Sequence, residues 1–171
     1  PNHVSVQQES TEKNHIFALD IFEGLLAVKA DVVLLLVGEG EYEGKIKEEV
    51  KERGLTGKVI FNGTTNEPEN LMNAADALIF PSKHEGFGNV VIEAQCCGLP
   101  VIASDRIPDE TKATDIISYL PIDAGEDVWV SEILKICSES RTSKKNDITE
   151  KGFDQKCQAD KMEGLMIRYH S

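Results

Sequence analysis

The stretch Glu85-Gly86-Phe87-Gly88-Asn89-Val90-Val91-Ile92-Glu93 follows a strand-like apolar run, Ala77-Leu78-Ile79-Phe80, closed by Pro81-Ser82. It opens a helix-like run that ends at Gly98-Leu99-Pro100, and a second strand-like run follows, Val101-Ile102-Ala103-Ser104. A helix between two neighbouring strands carries the chain back across the sheet, so the two strands must be parallel. The glycine-rich turn therefore lies at the carboxyl end of a strand, where open α/β sheets bind ligands. Gly86 and Gly88 let backbone approach a ligand closely. The helix start behind them offers backbone N–H groups and a positive dipole end, which suit phosphate or sugar hydroxyls. Glu93 lies one turn further in, on the face shared with Asn89 and Val90. A carboxylate there can accept from ribose hydroxyls, and Glu85 in the loop can accept from a second polyol. The simplest alternative makes Gly86 and Gly88 mere turn formers and Asn89 an N-cap.

Strand-type and helix-type runs alternate along the rest of the chain. Val4-Ser5-Val6 reads as a short strand, and Asn14 to Val28 as a largely buried helix. Val32 to Val37 is continuously apolar, as a central parallel strand requires. Glu41 to Arg53 is a charged helix ended by Gly54. Val59 to Phe61 is a strand, and Pro68 starts a short helix reaching Ala75. Ile116 to Leu120 is a further strand and Val128 to Cys137 a further helix. The polar segment Ser138 to Asp147 reads as a loop, and Ile148 to Tyr169 as helix interrupted near Gly152 and Gly164. The fold class expected is α/β, a Rossmann-like parallel sheet with helices on both faces. Residues 1–140 form the expected Rossmann-like domain and 141–171 a C-terminal helical segment.

With 171 residues the chain is long enough for one domain with a sizeable core. Eighteen basic against 30 acidic residues give a net charge of −12, which argues against a nucleic-acid partner and against docking on an anionic membrane. Cys96, Cys97, Cys137 and Cys157 have no metal-ligand or redox spacing, so reduced thiols in a cytoplasmic protein are expected. No metal site is expected.

Glu85 and Glu93, with the glycines between them, resemble the paired-glutamate motif of family 4 (group 1) retaining glycosyltransferases of the GT-B fold. Phe80-Pro81-Ser82, Gly98 through Ser104, Val37-Gly38-Glu39-Gly40 and Val59-Ile60-Phe61-Asn62-Gly63 are similar to further blocks of that family, in the same order. Residues 13–105 carry the resemblance. It implies the C-terminal, donor-binding half of the GT-B fold, with an acceptor-binding N-terminal half preceding Pro1. It implies a nucleoside diphosphate sugar as donor substrate and no separate cofactor. The acceptor would be a saccharide or lipid-linked one, held through that N-terminal domain, with the full-length enzyme peripheral at the inner membrane face and serving polysaccharide biosynthesis. Lys13 resembles the family lysine that pairs with the donor pyrophosphate, which makes Lys13 and Glu85 the candidate catalytic residues. Gly38, Asn62, Gly63, Glu85, Gly86, Phe87, Gly88, Asn89, Val90 and Glu93 are the candidate donor-binding residues. The family's usual Gly-Arg pair after the first strand is missing, since Val4-Ser5-Val6-Gln7-Gln8-Glu9 has no basic residue. A lost guanidinium removes a bidentate phosphate clamp. Two other readings therefore stay open: a non-catalytic nucleotide-sugar-binding module, and a GT-B nucleotide-sugar epimerase. This 171-residue part alone is expected to be inactive.

Overall fold

The computed structural model describes residues 13–138 and the backbone of residues 164–169. Its elements run α1 (His15–Val28), β1 (Val32–Val37), α2 (Glu43–Glu52), β2 (Val59–Gly63), α3 (Pro68–Ala74), β3 (Ala77–Phe80), α4 (Asn89–Cys96), β4 (Val101–Ser104), a 3-10 turn (Asp109–Thr111), β5 (Ile117–Leu120), α5 (Glu126–Ser138) and β6 (Gly164–Tyr169). The expected strand Val4-Ser5-Val6, the loop Ser138 to Asp147 beyond its first residue and the domain boundary at 140 lie outside the described residues.

One six-stranded sheet has the order β2-β1-β6-β3-β4-β5. β1 and β2 are parallel, as are β3, β4 and β5. The expected α/β parallel sheet is thus present in these five strands, and at its centre an added strand, β6, runs antiparallel to β1 and β3. The expectation of helix up to Tyr169 fails there. Leu165-Met166-Ile167 is a short apolar run, and such a run fits a buried strand as well as a helix. Pairing decides between them: without β6, the facing edges of β1 and β3 would carry unpaired N–H and C=O groups in the interior.

Every side chain of β3 and β4 is buried, so both faces of the sheet are covered there. α4 packs on both strands, and so does α5. α1 lies against α5 and α2. Phe17 meets the fully buried Trp129 edge to face, with ring centroids 5.7 Å apart and planes at 86°. A Cβ on Gly24 would sit 2.9 Å from Val130 Cγ2, so this position keeps α1 and α5 close. Arg53, at the end of α2, clasps Asp20 and Glu23 of α1 at 2.6 and 2.7 Å and Glu49 at 3.0 Å. Hydrogen bonding to Asp20, together with the other two carboxylates, raises the Arg53 pKa further against the cost of burial. Cys96 is disulfide-bonded, against the expectation of reduced thiols, whereas Cys97 and Cys137 are thiols as expected. Bridging depends on Cα separation in the fold, which sequence spacing does not reveal.

Candidate functional site

The parallel strands end on one side of the sheet, and the loops that follow them carry the residues singled out above. After β3 the chain turns through Pro81 and Ser82, both buried, into Lys83 and His84, both exposed. Ser82 Oγ donates to the His84 carbonyl at 2.9 Å and to Glu85 Oε1 at 3.2 Å, which fixes the loop and aims the carboxylate. At the end of β4, the fully buried Ser104 hydroxyl donates to the Ser82 carbonyl and so locks the two strand ends together.

Lys13 Nζ forms an ion pair with Glu85 Oε1, and both side chains are only 11% exposed. The ammonium also lies 5.6 Å from the centre of the Phe80 ring. Sequence separation between Lys13 and Glu85 is large, so the fold alone brings these two together. Lys13 is carried into place by an abrupt helix start: Asn14 adopts φ 58°, ψ 44° immediately before α1. Among the described residues Asn14 is the only non-glycine at positive φ, a conformation that asparagine tolerates better than most side chains.

α4 begins in the same way. Gly88 is its N-cap at φ 74°, ψ 46°, a left-handed conformation suited to glycine. Asn89 is thus the first helical residue, not the cap, and it is exposed. The amides of Asn89 and Val90 have no carbonyl one turn back within the helix. Phe87 is 37% exposed beside them. Glu93 is 6% exposed, on a helix buried from Val90 to Cys96. A carboxylate among Val90, Val91, Ile92 and Ala94 is costly to bury, and such groups concentrate where a ligand is bound.

Gly38, just after β1, and Gly63, the last residue of β2, are joined by a hydrogen bond from Gly38 N to Gly63 O at 2.9 Å. A Cβ on Gly63 would lie 3.3 Å from Glu39 Oε1, so Glu39 closes over this turn, while Asn62 is exposed. The structure therefore gathers Lys13, Glu85 and the start of α4 into one cluster and Gly38 with Gly63 into another; β6 lies between β1 and β3. A groove of about 370 Å³ beside Asn14 is lined by Phe17, Lys83, Arg106, Ile122 and Asp123. Arg106 there is already paired with Asp105 and Asp123 at 3.4 and 3.2 Å.

Sequence reasoning named Ser82 and Ser104 in strand-end blocks but gave neither the role of holding the loops. Ser82 and Ser104 sit at matching ends of two adjacent parallel strands, and that shared position was their signal. Gln95 is the other omission: it is an amide in an apolar helix, fully buried.

The chain is similar to known proteins along most of its length. EpsF of Bacillus subtilis (strain 168), named as a glycosyltransferase, is 32% identical over 146 residues, which cover 83% of this chain and 38% of that protein. The N-acetylgalactosamine-N,N'-diacetylbacillosaminyl-diphospho-undecaprenol 4-alpha-N-acetylgalactosaminyltransferase of Campylobacter jejuni is 32% identical over 60% of this chain and 27% of that protein. The crystal structure of Anabaena HepE in complex with UDP superposes with a TM-score of 0.71 at 18% identity, over 90% of this chain and 45% of that one, which shows a common fold. The chain thus spans well under half the length of the relatives it matches. Residues 3–113 match the family described as glycosyl transferases group 1. The match runs through β4 and takes in Lys13 and every donor-site candidate named above, and this chain belongs to that family.

Proposed function

We propose that this chain is the donor-binding part of a retaining glycosyltransferase that uses a nucleoside diphosphate sugar in polysaccharide biosynthesis. The observation that carries the reading is the Lys13–Glu85 ion pair set beside the glycine start of α4. One cation, two helix-start amides and a carboxylate match the parts of such a donor. Lys13 and the amides of Asn89 and Val90 would hold the diphosphate, whose charge grows as the sugar leaves. Glu85, freed from Lys13 when the phosphates take that partner, would accept from the sugar hydroxyls. Glu93 would accept from the ribose, and the Gly38 and Asn62-Gly63 turns would border the nucleoside. HepE, of similar fold, binds UDP, which makes uridine diphosphate the first nucleotide to try.

The acceptor is proposed to be a saccharide or lipid-linked saccharide, held by an N-terminal domain of the full-length enzyme at the inner membrane face. The name of the Campylobacter relative includes a diphospho-undecaprenol acceptor. Among the described residues no helix is long and apolar enough to cross a membrane. The relatives named above carry transferase names, which favours transfer over a binding module or an epimerase.

A thermal-shift panel of uridine, guanosine and adenosine diphosphates and their sugars tests the reading. A ligand at 100 times its dissociation constant stabilises by about 2.7 kcal/mol. One diphosphate should raise the melting temperature, and Lys13→Ala should abolish the rise. A flat response to all of them removes the donor reading.

A further inference from the structure

Gln95 takes no part in the chemistry proposed above, yet it is fully buried and makes five hydrogen bonds. Its Nε2 donates to the Val91 carbonyl in its own helix and to the Thr111 carbonyl, both at 2.8 Å. Its Oε1 accepts from the backbone N–H groups of Ala113 and Thr114 at 3.1 and 2.9 Å and from the Thr114 hydroxyl at 3.1 Å. Both amide protons and the oxygen are thus committed, and four of the five bonds tie α4 to Thr111, at the end of the 3-10 turn, and to the two residues Ala113 and Thr114 beyond it. Val91 in turn donates to the Gly88 carbonyl at 3.0 Å, so the amide grips the first turn of the helix.

Thr111 completes the linkage. It is fully buried, and its hydroxyl donates to the Pro108 carbonyl at 2.7 Å and meets the Tyr119 hydroxyl, also at 2.7 Å. Its methyl carbon Cγ2 lies 3.4 Å from where a Cβ on Gly88 would stand. The methyl therefore forms the floor under the left-handed residue that starts α4. A buried polar network with every member satisfied holds its geometry tightly, and a polar group left unmatched in it is costly.

We infer that Gln95 is a positioning residue: it holds the Thr111 methyl beneath Gly88, and so aims the Asn89 and Val90 amides at the anionic part of the ligand. This rests on the donor reading above for the identity of the anion, but the positioning itself does not. Pre-set donors at an anion site are worth most when a supporting shell fixes them.

The test uses the full chain with two substitutions. Gln95→Met keeps the length of the side chain and removes all five hydrogen bonds. Thr111→Ser keeps the hydroxyl bonds and removes only the methyl under Gly88. Affinities for UDP and for uridine are measured by NMR titration, and amide hydrogen exchange is followed residue by residue without ligand. Loss of supporting bonds should weaken UDP roughly tenfold, with uridine changed less than about twofold. Exchange should quicken at Asn89 and Val90 while the amides of α2 keep their rates. Thr111→Ser should show the same pattern with smaller size, and it decides the matter alone if Gln95→Met does not fold. Equal losses for UDP and uridine, or faster exchange spread over the whole sheet, would overturn the inference and leave Gln95 a purely structural residue. If the wild type binds no UDP, the donor reading fails. The exchange arm still decides the positioning role: a local change supports it, and none refutes it.

Discussion

α2 and α4 are both short helices of the same α/β unit, and they occupy opposite environments. α2 carries Glu43, Glu48, Glu49 and Glu52 and buries only Ile46 and Val50. Its carboxylates are solvated or paired with Lys47 and Arg53. α4 carries one carboxylate, Glu93, and buries it together with everything from Val90 to Cys96. The same residue type is a solubilising group in one helix and an expensive buried group in the other. The difference says that α4 is shaped by what its start must hold, whereas α2 is shaped by water.

Substitutions on the two helices test that contrast. The largest effect is expected from a charge where α4 has no room for one. Ala94→Glu, at a fully buried site, should destabilise by about 3 kcal/mol or more or prevent folding, through a buried unpaired charge. The matching change on α2, Lys45→Glu, should stay within about 0.5 kcal/mol. Urea unfolding measures both. Glu93→Gln tests binding at α4: UDP affinity should fall by the roughly 1.5–3 kcal/mol of a lost charge-assisted hydrogen bond, read by titration calorimetry. Glu48→Gln on α2 should leave that affinity unchanged. Arg53→Met tests the outer face: it leaves Asp20, Glu23 and Glu49 without their shared cation and should cost about 1–2 kcal/mol, with less effect at high salt. UDP binding should be untouched.

The smallest effect is a pH dependence far from the site. Burial pushes the Glu132 carboxyl up, but the Ser118 hydroxyl at 2.7 Å and the Lys135 ammonium outweigh it and hold the carboxyl below its ordinary value of 4.5. A lowered folded-state pKa contributes stability above the unfolded value, and that stability is lost as pH falls through the folded value. Ser118→Ala should therefore cost about 1 kcal/mol at pH 7, and the cost should shrink as the pH is taken below 4. Denaturant melts of both proteins across that range check the sign.

The strand–turn–helix–strand from Ala77 to Ser104 was legible in the sequence because each piece has its own local signal: an apolar run, two glycines, a helix stop at Gly98. Most helix and strand limits followed for the same reason. β6 was not legible, because a three-residue apolar run carries no period that separates strand from helix, and its place depends on edges made elsewhere in the chain. The site divides likewise. The Glu85-to-Glu93 cluster is contiguous, so it was visible. Lys13 could be matched only through family likeness, since nothing local says that it meets Glu85. The linkage from Gln95 through Thr111 to Gly88 was invisible: a side-chain amide gives no hint of which distant backbone groups it will serve.

The most direct measurement is an NMR map of UDP binding to the full chain. Shifts are expected at Gly86 to Glu93 and at Gly38 and Gly63, with the amides of Asn89 and Val90 among the most affected. Shifts confined to the outer surfaces of α1 and α2, with Gly86 to Glu93 unmoved, would contradict it.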